Sequence, residues 1–145
     1  MNGESILLSG VSAVSIDGSA LILEGPPGAG KSSLALALID RGAQLIGDDG
    51  VSLERDGERL LASPPPNTSG LLEVRNVGIL EFPAATTVPV ALLLRLSDDA
   101  ERLPEGARNR VIAGCSIPEL DFVPGSIAPA LRAEWAMRRF ANVSR

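Results

Sequence analysis

Residues 25–32 read Gly25-Pro26-Pro27-Gly28-Ala29-Gly30-Lys31-Ser32, the G-x-x-x-x-G-K-[ST] pattern that cradles the phosphates of a nucleoside triphosphate. The residue types match that chemistry. Glycines let the backbone curl until its N–H groups converge on phosphate oxygens, and a following helix N-terminus adds about half a positive charge. Lys31 can reach the β- and γ-phosphates, and the Ser32 hydroxyl can ligate Mg²⁺. The expected nucleotide-contacting set is Gly25, Pro26, Pro27, Gly28, Ala29, Gly30, Lys31, Ser32 and Ser33. The context agrees: Leu21-Ile22-Leu23 is a short apolar run suited to a buried strand. Ser33 to Arg41 has helix formers with Leu34, Leu38 and Ile39 on one face, closed by Gly42.

A second constellation, Asp48-Asp49, lies 17 and 18 residues after Lys31. One carboxylate there can hold Mg²⁺ directly or through water while the other accepts a proton from an attacking hydroxyl. Their like charges raise one of the two pKa values, which suits a general base. Asp-Asp-Gly is also ordinary turn chemistry, so the reading draws its weight from the phosphate loop one helix earlier. A third stretch, Leu72-Glu73-Val74-Arg75-Asn76-Val77-Gly78-Ile79-Leu80, is by itself only a strand with an exposed charge pair.

Composition narrows the classes. A chain of 145 residues fits one domain, 1–145, burying roughly 70% of its unfolded surface without staples. It contains no histidine, so histidine-based catalysis and histidine-ligated zinc are excluded, and the lone Cys115 excludes an internal disulfide. The net charge of −5 and pI near 4.7 lack the basic footprint of a nucleic-acid binder. Met1-Asn2-Gly3-Glu4 has no basic region ahead of an apolar stretch, unlike a signal peptide. Apolar runs such as Val90 to Leu94 fall far short of the about 20 residues of a membrane span. A cytoplasmic enzyme is expected.

The elements that must position these residues are mostly short strands. Ile6–Leu8, Val11–Ile16 and Ala20–Leu23 read as strands, the last two joined by a turn at Asp17-Gly18. Gln44–Ile46 leads into Asp48-Asp49, and Arg55-Asp56-Gly57-Glu58 turns between strands at Val51–Glu54 and Arg59–Leu61. Pro64-Pro65-Pro66 forces a loop. Leu71–Val74 and Val77–Phe82 flank Arg75-Asn76, Val88–Leu96 suits a buried strand, and residues 97–107 form a polar loop. Val111–Ala113 and Ile117–Val123 are further strand candidates. Ser126 to Asn142 reads as an amphipathic helix carrying Leu131, Trp135 and Phe140. So many strands with two helices is unlike a standard phosphate-loop protein, in which helices alternate with every strand.

Taken together, the phosphate loop, Arg41-Gly42-x-x-Leu45-x-x-Asp48-Asp49 and Glu73-x-Arg75-x-x-Gly78-Ile79 give a chain that resembles the catalytic domain of HPr kinase/phosphorylase. That bacterial family phosphorylates a serine of the phosphocarrier protein HPr. The resemblance covers nearly the whole chain and is to the short form without a separate N-terminal domain. It implies an α/β, strand-rich P-loop kinase core similar also to the nucleotide domain of phosphoenolpyruvate carboxykinase. It implies ATP and Mg as cofactors, an HPr-like partner and a homo-oligomer, the family being hexameric. Residue by residue, Lys31 would hold the β/γ-phosphates and Ser32 and Glu73 would ligate Mg²⁺. Asp49 aligns with the family's proton acceptor, with Asp48 as its neighbour, and Arg102 aligns with an active-site arginine. An arginine neutralising a transferred phosphoryl is worth roughly 10³–10⁵ in rate elsewhere.

Departures from the family pattern have consequences too. Gly10 stands where the family carries a histidine, Ser33 where an acidic residue is usual, and Asn76 where a glycine is. Pro124-Gly125-Ser126-Ile127 replaces a Pro-Gly-Arg-Asn type loop linked to dephosphorylation. The expected activity is therefore a protein serine kinase whose reverse reaction is lost. Two rivals stand beside it: a catalytically degenerate ATP-binding regulatory module and a small-molecule kinase. Arg132, Arg138 and Arg139 give the last helix a basic surface that would meet the acceptor protein.

Overall fold

Leu21, Ile22 and Leu23 are all fully buried, and a strand buried on both faces needs cover on both. The computed structural model, which describes residues 2–141, supplies that cover with two helices and eleven strands among the described residues. In chain order they are β1 (Asn2–Ser9), β2 (Val11–Ile16), β3 (Ser19–Glu24), α1 (Lys31–Asp40), β4 (Gln44–Gly47) and β5 (Gly50–Asp56). There follow β6 (Arg59–Ser63), β7 (Leu71–Val74), β8 (Gly78–Glu81), β9 (Val88–Leu96), β10 (Arg108–Ile112), β11 (Cys115–Phe122) and α2 (Pro129–Phe140). The fold is a strand-rich mixed α/β one.

The main sheet runs β1-β5-β6-β9-β3-β2-β4, with β11 also paired to β9 and β10 outside it. β9 is parallel to β3 and to β11; the other pairings are antiparallel. Side chains alternate across the strands, which divides the core in two. Leu21 and Leu23 join Leu92, Leu94, Leu120 and Phe122 under Leu34, Ala35 and Leu38 of α1 and Ala130, Ala133 and Met137 of α2. On the other face Ala20, Ile22 and Leu93 pack with Val51, Leu53, Leu60 and Ala62, as the β5–β6 hairpin curls over the sheet. β7 and β8 form a separate hairpin.

Most expected strands fall where the sequence puts them, and four elements differ in their bounds, the first being β1, which begins at Asn2 rather than Ile6. The α1 helix starts at Lys31 rather than Ser33, because the phosphate loop runs straight into its first turn. β10 begins at Arg108, three residues before the expected Val111. The charges of Arg108 and Arg110 disguise a strand whose alternate positions bind carboxylates. Ala113 and Gly114, both at positive φ (51° and 80°), make the hairpin turn to β11. The last helix starts at Pro129, since Ala128 adopts a left-handed φ of 46°; its expected end at Asn142 lies outside the described residues.

That helix is also turned differently from expectation. Its buried stripe is Ala130, Ala133, Ala136 and Met137, while Leu131 and Trp135 are exposed at 42% and 57%. Small alanines let α2 lie close to the sheet, and Trp135 instead stacks under the Arg138 guanidinium, 4.6 Å from its ring centre. Arg132 is not a free surface charge either. It donates to the carbonyls of Val123 and Pro124 at 2.9 and 3.0 Å and lies over Phe122, tying the β11–α2 connection to the helix.

Where the apolar face of the sheet ends, beyond Ile22, Leu93 and Ile117, it continues as charge. Glu24 and Arg95 are register partners at the ends of β3 and β9, as are Arg95 and Asp121 across β9 and β11. Arg110 holds Glu24 in a two-pronged pair at 2.8 and 3.0 Å. Arg108 donates to the buried Glu119 at 2.6 Å and to both oxygens of Asp121 at 2.6 and 3.1 Å. These hydrogen bonds from Arg110 hold the Glu24 carboxyl below its ordinary value of 4.5; those from Arg108 lower Asp121, and both guanidiniums are shifted up in turn.

A carboxylate whose folded pKa is depressed stabilises the fold above its unfolded value and loses that contribution as pH falls through the folded value. The melting temperature of the wild type should therefore exceed that of Glu24→Gln at pH 7. The gap should narrow below pH 4.5, read by thermal denaturation across pH 7 to pH 3; a gap constant over that range would contradict the assignment.

Candidate functional site

The phosphate loop leaves the sheet directly from Glu24, so its base is held by β3, β9 and the ion pair to Arg110. Ala29 N–H closes a turn on the Pro26 carbonyl at 3.1 Å, and Leu34 N–H reaches the Gly30 carbonyl at 2.9 Å to begin the helix. Gly30, the residue capping α1, has φ 98°, a conformation that L side chains avoid. The Lys31 ammonium curls back over the loop, donating to the carbonyls of Gly25 at 2.5 Å and Pro26 at 3.2 Å. Those carbonyls park it beside the space that phosphates would fill.

Opposite the loop, β4 and β5 are joined by Asp48-Asp49 in a turn so tight that a side chain at Gly47 would meet the Gly50 carbonyl at 1.9 Å. Asp48 and Asp49 are treated differently by this turn. The Asp48 carboxylate accepts from Ser32 Oγ at 2.7 Å, from Ser12 Oγ at 3.1 Å and from the Glu73 backbone N–H at 3.4 Å. Asp49 sits at φ 64°, with its carbonyl accepting the Gly10 N–H at 3.1 Å. Its side chain is exposed, and no donor among the described residues bonds its carboxylate.

Lys31, Ser32, Asp48, Asp49, Glu73 and Arg75 line one cleft of about 600 Å³ with Ser12 and the loop. A second cleft, about 730 Å³, lies on the other flank of the loop. Its walls are Pro26 to Gly30, Ser33, Arg95, Asp98 and the Val123-Pro124-Gly125 segment. Of the residues singled out from sequence, Pro27, Gly28, Gly30, Lys31, Ser32, Ser33, Asp48, Asp49 and Glu73 thus share the first cleft, while Pro26 lines the second. Ala29 faces the second, and Gly25 lies at the loop base, where its carbonyl receives Lys31. Arg102 is the exception: it is exposed on the 97–107 loop and lines neither cleft.

Two residues were given no role from the sequence. Ser12 is a hydroxyl within the fully buried run Val11 to Ser15 of β2, and a buried hydroxyl needs a partner; the partner, Asp48, comes from another strand. Arg75 belongs to the Glu73-x-Arg75 motif but shows its place only once the β7–β8 hairpin is set beside α1. Among the described residues no three His, Cys, Asp or Glu side chains cluster closely enough to hold a metal by themselves. The hard oxygens lining the first cleft are those of Ser12, Ser32, Ser33, Asp48, Asp49 and Glu73.

Comparison with known proteins gives consistent matches. The family model described as the HPr Serine kinase C-terminal domain matches residues 3–123. The HPr kinase/phosphorylase of Lacticaseibacillus casei is 31% identical over 120 residues, covering 74% of this chain and 38% of the relative. That of Clostridium tetani is 42% identical over 71 residues, 49% of this chain and 23% of the relative. The chain thus spans well under half the length of these curated relatives. Among solved structures, the Hpr(Ser) kinase/phosphatase from Coxiella burnetii superposes with a TM-score of 0.79 at 27% identity, covering 92% of this chain and 94% of that one.

Proposed function

Because the chain belongs to the HPr serine kinase C-terminal domain family, we propose that it transfers the γ-phosphoryl group of ATP to a serine of HPr or an HPr-like phosphocarrier protein. The observation that carries this reading is the division of labour between two adjacent carboxylates. Asp48 is committed to Ser12, Ser32 and the Glu73 backbone, whereas Asp49, in the same cleft as Lys31, has no side-chain partner among the described residues. A kinase needs one fixed acidic group near the phosphate loop and one unencumbered acceptor for the hydroxyl proton.

The donor set fits magnesium, which takes one or two carboxylates with substrate phosphates and water rather than an all-protein cage. Ser32 and Asp48, already 2.7 Å apart, would hold it with Glu73 from the hairpin, and the ion would supply positive charge to the nucleotide phosphates. The remaining work belongs to the chain. Lys31 leaves the Gly25 and Pro26 carbonyls for the phosphates, and the loop N–H groups and the start of α1 orient them. Asp49, held in its left-handed conformation by the tight turn, takes the serine proton as the oxygen attacks in line. Arg75 is the second cation of the cleft; Arg102 would contribute only when its loop carries it inward.

In this reading the reverse reaction, attack of inorganic phosphate on phosphoserine, is weak, because Ser126 offers no cation where the family has an arginine. The chain acts as a single domain, a homo-oligomer by analogy with its family, and Arg138 and Arg139 meet the acceptor protein. Arg132 is withdrawn from that surface by its bonds to Val123 and Pro124. A degenerate ATP-binding module remains the competing reading, favoured by Gly10 at the family's histidine position.

Charged hydrogen bonds are worth about 1.5–3 kcal/mol, so Lys31→Ala should weaken Mg-ATP binding at least about tenfold by titration calorimetry. Equal affinity would remove the loop from the nucleotide site. Asp49→Asn keeps the shape of the turn and should bind Mg-ATP normally while phosphoryl transfer to HPr falls roughly 10²–10⁴-fold. Transfer at the wild-type rate would exclude Asp49 as the base, and a wild type that binds Mg-ATP yet transfers nothing would establish the regulatory-module reading. With phosphorylated HPr and millimolar phosphate, pyrophosphate release should be negligible beside the forward rate; comparable rates would show that Ser126 does not disable phosphorolysis.

A further inference from the structure

Glu24 is an acidic residue at the mouth of an anion-binding loop, one position before the glycine whose carbonyl receives the Lys31 ammonium. Left free, such a carboxylate would compete with the phosphates for Lys31. A charge-assisted bond to a carboxylate is roughly twice as strong as one to a neutral carbonyl, so the lysine would be held where it cannot reach a ligand. The structure answers this with Arg110, which closes on both Glu24 oxygens at 2.8 and 3.0 Å.

Other cations nearby are occupied. Arg95, the register partner of Glu24, points its guanidinium to Asp121 at 3.7 Å, and Arg108 is shared by Glu119 and Asp121. We propose that Arg110 is a positioning residue for nucleotide binding, which keeps the Glu24 carboxylate off Lys31 and so leaves the lysine free to engage the triphosphate. The charge of Lys31 is already felt at Glu24, where it adds to the effect of Arg110 and Arg95 in stabilising the ionised carboxyl. The Lys31 ammonium bonds the carbonyl of Gly25, the residue next to Glu24, so the carboxylate and the ammonium share one end of the loop. This inference rests on the reading of the loop as an ATP site.

The test is Mg-ATP calorimetry on the full chain for wild type, Arg110→Ala, Arg110→Lys, Glu24→Gln and the double variant Glu24→Gln/Arg110→Ala, with circular dichroism to confirm folding. Arg110→Ala should weaken binding about fivefold, the upper range for a partly exposed ion pair. Arg110→Lys, which keeps the charge, should lose less, and the double variant should return to within about twofold of wild type, since the competing carboxylate is gone. A role confined to anchoring the loop gives no such rescue, so a double variant as weak as Arg110→Ala overturns the proposal, as does an Arg110→Ala that binds like wild type. Should Arg110→Ala fail to fold, Glu24→Gln decides: binding as tight as wild type or tighter agrees, and weaker binding overturns it. A wild type without affinity for Mg-ATP would overturn the ATP reading and this inference together, whereas a wild type that binds while the variants rank otherwise defeats the inference alone.

Discussion

One carboxylate holds the site together. Asp48 accepts bonds from three separate pieces of chain: Ser32 at the start of α1, Ser12 in β2, and the Glu73 backbone in β7. None of these segments is joined to another by a short connection, and the β7–β8 hairpin stands outside the main sheet. Without an acceptor at position 48 the hairpin bearing Glu73 and Arg75 would lose its polar tie to the phosphate loop, and the buried Ser12 hydroxyl would be left unpartnered at a cost of about 1–3 kcal/mol. A turn that admits only glycine at position 47 brings the carboxylate to that point. Backbone sterics and a three-donor carboxylate thus distinguish Asp48 from its neighbour Asp49, whose carboxylate has no donor among the described residues.

Much of this was legible in the residues. The phosphate loop, the paired aspartates, the strand at Val88–Leu96 and the polar loop after it follow from local pattern, since each depends on neighbours in sequence. What could not be read depends on partners far away. The strand character of Arg108 to Arg110 is invisible because charged residues rarely line a strand. It becomes intelligible once Glu24, Glu119 and Asp121 face them. The exposure of Trp135 is hidden for a related reason: the buried stripe of α2 is made of Ala130, Ala133, Ala136 and Met137, and apolar size alone points to the wrong face of the helix. Arg102 shows a third kind of limit, as its alignment with a functional arginine says nothing about where an eleven-residue loop carries it.

The phosphate loop separates two clefts of different character. One gathers carboxylates, Ser12, Lys31 and Arg75; the other is walled by Leu96, Val123, Pro124 and Pro129 with Arg95 and Asp98 at its edge. The Pro124-Gly125 segment, set apart in sequence by its missing arginine, borders the second. Its position is fixed by the Arg132 bonds to Val123 and Pro124. An arginine of the last helix therefore serves the shape of the loop rather than the outer surface.

The order in which these parts arise along the chain has a consequence for biosynthesis. β3 and the phosphate loop precede their partners: β3 pairs with β9, and Glu24 finds Arg110 at a separation of 86 residues. Contacts of such long range are slow to form, because chain closure must be met before the contact stabilises anything. On the ribosome, β2 and α1 can meet Leu21 to Leu23 at once, but the cover from β9, β11 and the alanine stripe of α2 follows only when those segments have been made. Until then part of that apolar strand stays uncovered, the interval in which aggregation or chaperone capture competes with folding.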